Sequence, residues 1–175
     1  MYIADLHIHS RFSRATSRDC DAPHLDWWAR RKGIALLGTG DFTHPAWRAE
    51  LKEQLVPAEE GLYILREELR LPGLAPGAQP RFAVTGEISS IYKCGGRTRK
   101  VHNLILLPSL EAADELAARL AALLMERKGL TPGQAPALSW AAYRETQYDR
   151  LDAAGMTPYL QGIFLSEAAG APKPE

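Results

Sequence analysis

The sequence predicts an α/β fold, and three observations carry that reading. Strand-like and helix-like segments alternate along the chain. The strand-like pieces are short apolar runs set between turn residues, as in "IALLG". Metal-ligating residue types recur where those runs end, and the ends of strands are where α/β sheets build their sites. With 175 residues and 46% hydrophobic content, the chain holds enough material for one core and hardly enough for two.

The elements follow in order. Residues 2–7 read as a first strand, with Tyr2-Ile3-Ala4 as its buried part. In "DAPHLDWWARRKG", Asp21 suits a helix N-cap, Pro23 the first turn and Gly33 the stop. "IALLG" at 34–38 is a second, short buried strand, followed by the loop "TGDFTHP" and a helix over Trp47–Leu55. Residues 61–71 alternate weakly, and "LPGLAPGAQP" is a connector rich in proline and glycine. "RFAVTGEISSIY" and "KVHNLILLP" are two further strands, with a turn at Gly95-Gly96. A long helix runs from Ser109 to about Lys128, where Gly129 stops it. Beyond it, 139–154 suits one more helix and "SEAAGAPKPE" a disordered tail.

Composition excludes several functions. The 21 basic and 21 acidic residues cancel, so any nucleic-acid surface has to be a local patch. No uninterrupted apolar segment is long enough to span a bilayer, and the first twenty residues lack a signal-peptide layout. Cys20 and Cys94 form neither a disulfide framework nor a CxxC pair, so a reduced, cytoplasmic setting is expected.

The chemistry-bearing residues are five histidines and a few acids. His7 and His9 lie two apart, so in an extended segment both imidazoles face one side. Asp41 and His44 follow the second strand, Glu87 lies in the third and His102 starts the fourth. Each also has a plain structural use. Asp41 suits the cap of the next helix, His44 an ordinary loop, and His102 a hydrogen-bonded core position, while His24 belongs to a helix start. Glu87 is harder to explain that way, because an acid among apolar strand residues is costly to bury without a partner. Together they suit Zn, Mn or Fe, and a carboxylate bridging two ions gives a hydrolytic centre that acidifies water and clamps the oxygens of a phosphoryl displacement. "YKCGGRTRKVH" adds Lys93, Arg97, Arg99 and Lys100 around a turn, groups suited to DNA phosphates. The pair Trp27-Trp28 suits helix packing better than base stacking.

The stretches "DLHIHSRFSRATSRD", "GTGDFTHP", "TGEISSIYK" and "RKVHNL" resemble the PHP (polymerase and histidinol phosphatase) family of metal-dependent phosphoesterases, most closely its endonuclease Q branch. The resemblance runs from about residue 2 to residue 120. It implies a distorted βα barrel of seven strands, of which this chain supplies about the first half. It also implies two or three divalent ions (Zn, Mn or Mg) in the intact enzyme and DNA nicking on the 5′ side of deaminated bases, as in DNA repair. His7 and His9 match ligands of one ion, Glu87 the bridging carboxylate, His102 a ligand of the second ion and Asp19 a position near a third. Asp41 matches the acid of the second motif and stands with Glu87 as a catalytic carboxylate. Phe42 follows it where the family has histidine, a role His44 can take over.

The family's later histidine and Asp-x-His motif have no counterpart after His102. The expected division is therefore 1–128 as the N-terminal part of a PHP domain and 129–175 as a divergent helix and tail, with truncation of the activity. The alternatives are a small-molecule phosphoesterase of the histidinol-phosphatase kind and an inactive fragment that self-associates through an open sheet edge.

Overall fold

The computed structural model describes residues 2–13, 16–74, 77 and 79–128. The division at residue 128, the helix at 139–154 and the tail lie outside the described residues. What is described is a mixed α/β unit: an open six-stranded sheet with three helices. β1 (Ala4–Asp5), β2 (Leu36–Gly38) and the start of β5 (Arg81–Cys94) run parallel. β5 then pairs antiparallel with β4 (Leu62–Leu65) and with β6 (Arg97–Leu107), and β4 pairs antiparallel with β3 (Leu55–Pro57). The order β1-β2-β5-β4-β3 leaves two edges, an open sheet that fits part of a barrel.

Local chemistry sets the helices. α1 (Ala22–Lys32) starts where the Asp21 carboxylate accepts the His24 N–H at 3.0 Å and ends where Gly33 turns left-handed, φ 71°. α2 (Pro45–Gln54) begins earlier than the sequence suggested, because His44 supplies its cap and Pro45 the first turn. α3 spans Leu110–Lys128, and Ser109 Oγ accepts the Ala112 N–H at 3.1 Å.

Two expectations need correction. Tyr2 and Ile3 are 89% and 53% exposed, and the first strand keeps only Ala4 and Asp5. β1 is an edge, so its outer side lacks the neighbour that burial requires. The residues after α2 also leave the helix sooner: Leu55 is extended (φ −103°, ψ 148°) and opens β3, since Val56 precedes a proline and is pushed from helical angles.

The core gathers Leu37, Phe42, Trp47, Leu51, Phe82, Val84, Ile105, Leu116 and Leu120 between the sheet and the helices. At roughly 1.5–3 kcal/mol for each large side chain removed from water, these residues dominate the stability. β5 pairs with β2 and β4 through Arg81–Ala83, and from Val84↔Leu107 to Cys94↔Arg97 its paired strand is β6. Gly95 (φ 58°) and Gly96 (φ 74°) close this hairpin, both in the region a two-residue turn of that type demands. No helix among the described residues is long and apolar enough to cross a membrane.

Candidate metal centre

The centre is assembled where three backbone segments come unusually close. A side chain at Gly38 would run into the Leu6 carbonyl oxygen and Thr85 Oγ1, and one at Gly40 into the Ile8 carbonyl. Glycine at both positions therefore lets the Leu6–His9 backbone lie against the end of β2. Thr39 and Thr85 tie that end to β5: the Thr85 N–H donates to Thr39 Oγ1 and the Gly40 N–H to Thr85 Oγ1, each at 3.0 Å. The Trp47 indole N–H closes the same loop on the Thr39 and Gly40 carbonyls, at 3.1 and 3.0 Å.

Glu87 lies at the focus. Its Oε2 is 2.7 Å from His7 Nε2 and 3.9 Å from His9 Nε2, while His102 Nδ1 closes on Oε1. Ligand atoms of His7, His9 and Glu87 lie within 4.8 Å of one another, a set suited to a divalent ion. The Glu87 side chain is 13% exposed, against 53% for His7 and 43% for His102, so the carboxylate is recessed and the imidazoles face solvent. Burial by itself would raise the Glu87 carboxyl. The hydrogen bond from His7 and the charge and bond of His102 override it and hold the group below its ordinary value.

Asp41 serves the centre from behind. It is buried, with φ 45°, a left-handed conformation that aspartate tolerates better than most residues. Its Oδ2 accepts the Ser10 N–H at 2.7 Å and the Ser10 hydroxyl at 2.8 Å, and its Oδ1 accepts His9 Nδ1–H at 3.0 Å. An ionised carboxylate only accepts, so His9 carries its proton on Nδ1 and offers the Nε2 lone pair toward Glu87. This is the carboxylate–histidine arrangement that orients a metal ligand.

The remaining candidates spread outward. His102 sits well inside β6, which begins five residues earlier at Arg97. His44 caps α2, accepting the Trp47 N–H at 3.4 Å, and stacks on Phe12 with ring centroids 4.4 Å apart. Asp19 is an exposed loop residue whose N–H donates to Ser17 Oγ at 3.1 Å. Neither joins the three-residue ligand group. Arg97, Arg99 and Lys100 are exposed on the hairpin, and Lys93 pairs in register with Thr98. Sequence reasoning passed over Ser10, which follows the histidine pair directly, and Gly86. A Cβ at Gly86 would lie 2.5 and 2.8 Å from two atoms of the Phe42 ring, so that ring packs against the backbone beside Glu87.

No family model matches the sequence. Over 112 residues the chain is 35% identical to an uncharacterised protein of Methanocaldococcus jannaschii, matching 64% of this chain and 10% of that one. The fold is similar to the crystal structure of a lesion-specific endonuclease from Pyrococcus furiosus, PfuEndoQ. The TM-score is 0.51 with 29% identity, over 67% of this chain and 24% of that chain. It matches equally a structure of endonuclease Q in complex with a 27-mer duplex substrate carrying an abasic lesion at the active site, again at TM-score 0.51, over 25% of that chain. The chain thus spans about a quarter of those endonucleases and a tenth of the archaeal relative.

Proposed function

We propose that this chain carries the metal centre of a DNA-repair endonuclease of endonuclease Q type, built on part of a PHP fold. The observation that carries the reading is the convergence of His7, His9 and Glu87, with the Asp41 carboxylate 3.0 Å from His9 Nδ1. Likeness to endonucleases that act on damaged DNA supports it.

In this reading His7, His9, Glu87 and His102 hold divalent ions, and Asp41 positions His9. A divalent ion supplies Lewis acidity toward a phosphoryl oxygen and acidifies bound water. In the metal-free protein His7 and His102 donate to Glu87 and keep it ionised, and on metal binding those nitrogens would give up their protons to become ligands, while Asp41 leaves the Nε2 lone pair of His9 free. The cations Lys93, Arg97, Arg99 and Lys100 hold the DNA backbone, and the cut falls 5′ of a deaminated base.

Elemental analysis of the purified chain tests the first half of this reading. At least one ion per chain is expected, and it should be lost in a His7→Ala/His9→Ala variant; metal-free protein from metal-supplemented cultures would remove the reading. A labelled duplex with a single uracil tests the second half. A nick beside the lesion, without phosphate release from small monoesters, is expected; the reverse pattern would indicate a small-molecule phosphoesterase.

A further inference from the structure

Among the described residues the β5–β6 hairpin runs past the metal centre with no third strand paired to it, and its cations do not share one face. Register fixes the faces, since residues directly opposite share a side and successive residues alternate. His102 lies opposite Ser89 and Glu87 opposite Leu104, and the contact between His102 and Glu87 shows that both are on one face. Lys100, two residues from His102, falls on that face, about 7 Å further along at the usual strand rise.

Arg99 and Arg97 fall on the opposite face, the one that holds Asn103, Ile105 and Leu107 where β6 enters the core. Arg97 lies about 16 Å along the strand from His102. All three cations are exposed, and among the described residues none of them is in an ion pair, whereas Arg11, Arg30, Arg48, Lys52 and Arg81 all are. From residue 88 to residue 110 there is no Asp or Glu at all. A neutral protein has thus set one acid-free, unpaired group of cations on a projecting arm.

A single phosphate row running into the metal centre can meet only one face of this arm. Cations on both faces match two rows, as on either side of a groove in duplex DNA, whose major groove is about 12 Å wide and admits a two-stranded ribbon. We propose that the distal hairpin is a two-faced arm lying between the phosphate rows of a duplex. Lys100 meets the row that enters the metal centre, and Arg97 and Arg99 meet the row across the groove. The proposal rests on the reading of the centre as a DNA phosphodiesterase, and it adds that the arm requires a duplex.

Fluorescence anisotropy of the metal-loaded chain with a labelled duplex, and with one of its strands alone, across a salt series tests this. Removing one phosphate-binding cation lowers the slope of log affinity against log salt by about 0.9 on a duplex and about 0.7 on a single strand. Arg97→Ala/Arg99→Ala should reduce the duplex slope by nearly two and leave the single-strand slope unchanged. Lys100→Ala should reduce both slopes by about one. Metal uptake equal to wild type in both variants checks that the hairpin base is intact. Equal reductions on duplex and single strand for the double variant would mean one phosphate row and overturn the two-faced arm. So would unchanged slopes, or a wild-type chain whose duplex binding does not respond to salt. The uracil-duplex nicking assay separately decides whether the underlying reading stands in each of those cases.

Discussion

Substituting Asp41→Asn tests the centre without dismantling the fold around it. In the native chain Oδ2 takes both bonds from Ser10, at 2.7 and 2.8 Å, and Oδ1 takes the proton of His9 Nδ1 at 3.0 Å. Asparagine keeps the Ser10 bonds only by turning its oxygen that way, which leaves its NH2 facing His9. Two donors cannot share that contact, so His9 moves its proton to Nε2, the nitrogen 3.9 Å from Glu87. The ring then has no lone pair on the side of the ligand group. Removing such an outer partner typically weakens metal binding by about 10–100-fold, or about 1.4–2.8 kcal/mol. Calorimetric titration of the metal-stripped protein with Zn²⁺ or Mn²⁺ reads this directly. Thermal unfolding of the metal-free protein should change little, because both Ser10 bonds survive and His9 Nδ1 then accepts from the asparagine NH2. Affinity within twofold of wild type would refute the argument, since His9 would then not be a ligand held through Asp41.

Three further outcomes are expected. Gly86→Ala should push against the Phe42 ring, cost about 1–3 kcal/mol of stability as overpacking does, and weaken metal binding by moving Glu87; adding Phe42→Leu should recover part of both in denaturant melts and titrations. Burial holds His44 below its ordinary value of 6.5 while it accepts the Trp47 N–H, so the unfolded chain takes up the proton first. Stability should therefore fall as pH drops below about 6.5, and a His44→Asn variant, which keeps a cap acceptor, should show a shallower fall in urea melts at pH 5 and pH 8. Trp47→Phe should remove the indole N–H from the Thr39 and Gly40 carbonyls, cost about 1–3 kcal/mol in the same melts, and loosen metal binding by freeing the loop that carries Asp41.

The starts of α1 and α3 and the hairpin turn were legible because single residues determine them. Asp21, Gly33 and Gly95-Gly96 act through their own backbone or side chain, and the structure uses each as its chemistry suggests. β1 and β3 were not legible in the same way. Whether Tyr2 and Ile3 are covered depends on what lies beside them in the sheet, and the residues of β3, kept from helical angles by Pro57, become a strand because β4 lies alongside. The site divides along the same line. The spacing of His7 and His9 signals a shared side and Glu87 among apolar neighbours signals a partner, so those residues stood out as a joint pattern, each having a structural use of its own.

Asp41 could be picked out too, but not its job. Its bonds to His9, 32 positions away, and to Ser10 join segments that no local pattern connects. Phe42 extends the point. Along the chain it reads as an ordinary apolar loop residue, yet in space it is fully buried against Gly86, one residue from Glu87. The place of Glu87 is thus constrained by the fit of a ring to a glycine. That pair makes a direct prediction about tolerance: position 86 should accept no residue larger than glycine while position 42 stays aromatic, and a library varying both, selected for metal retention, should recover larger residues at 86 only with smaller ones at 42.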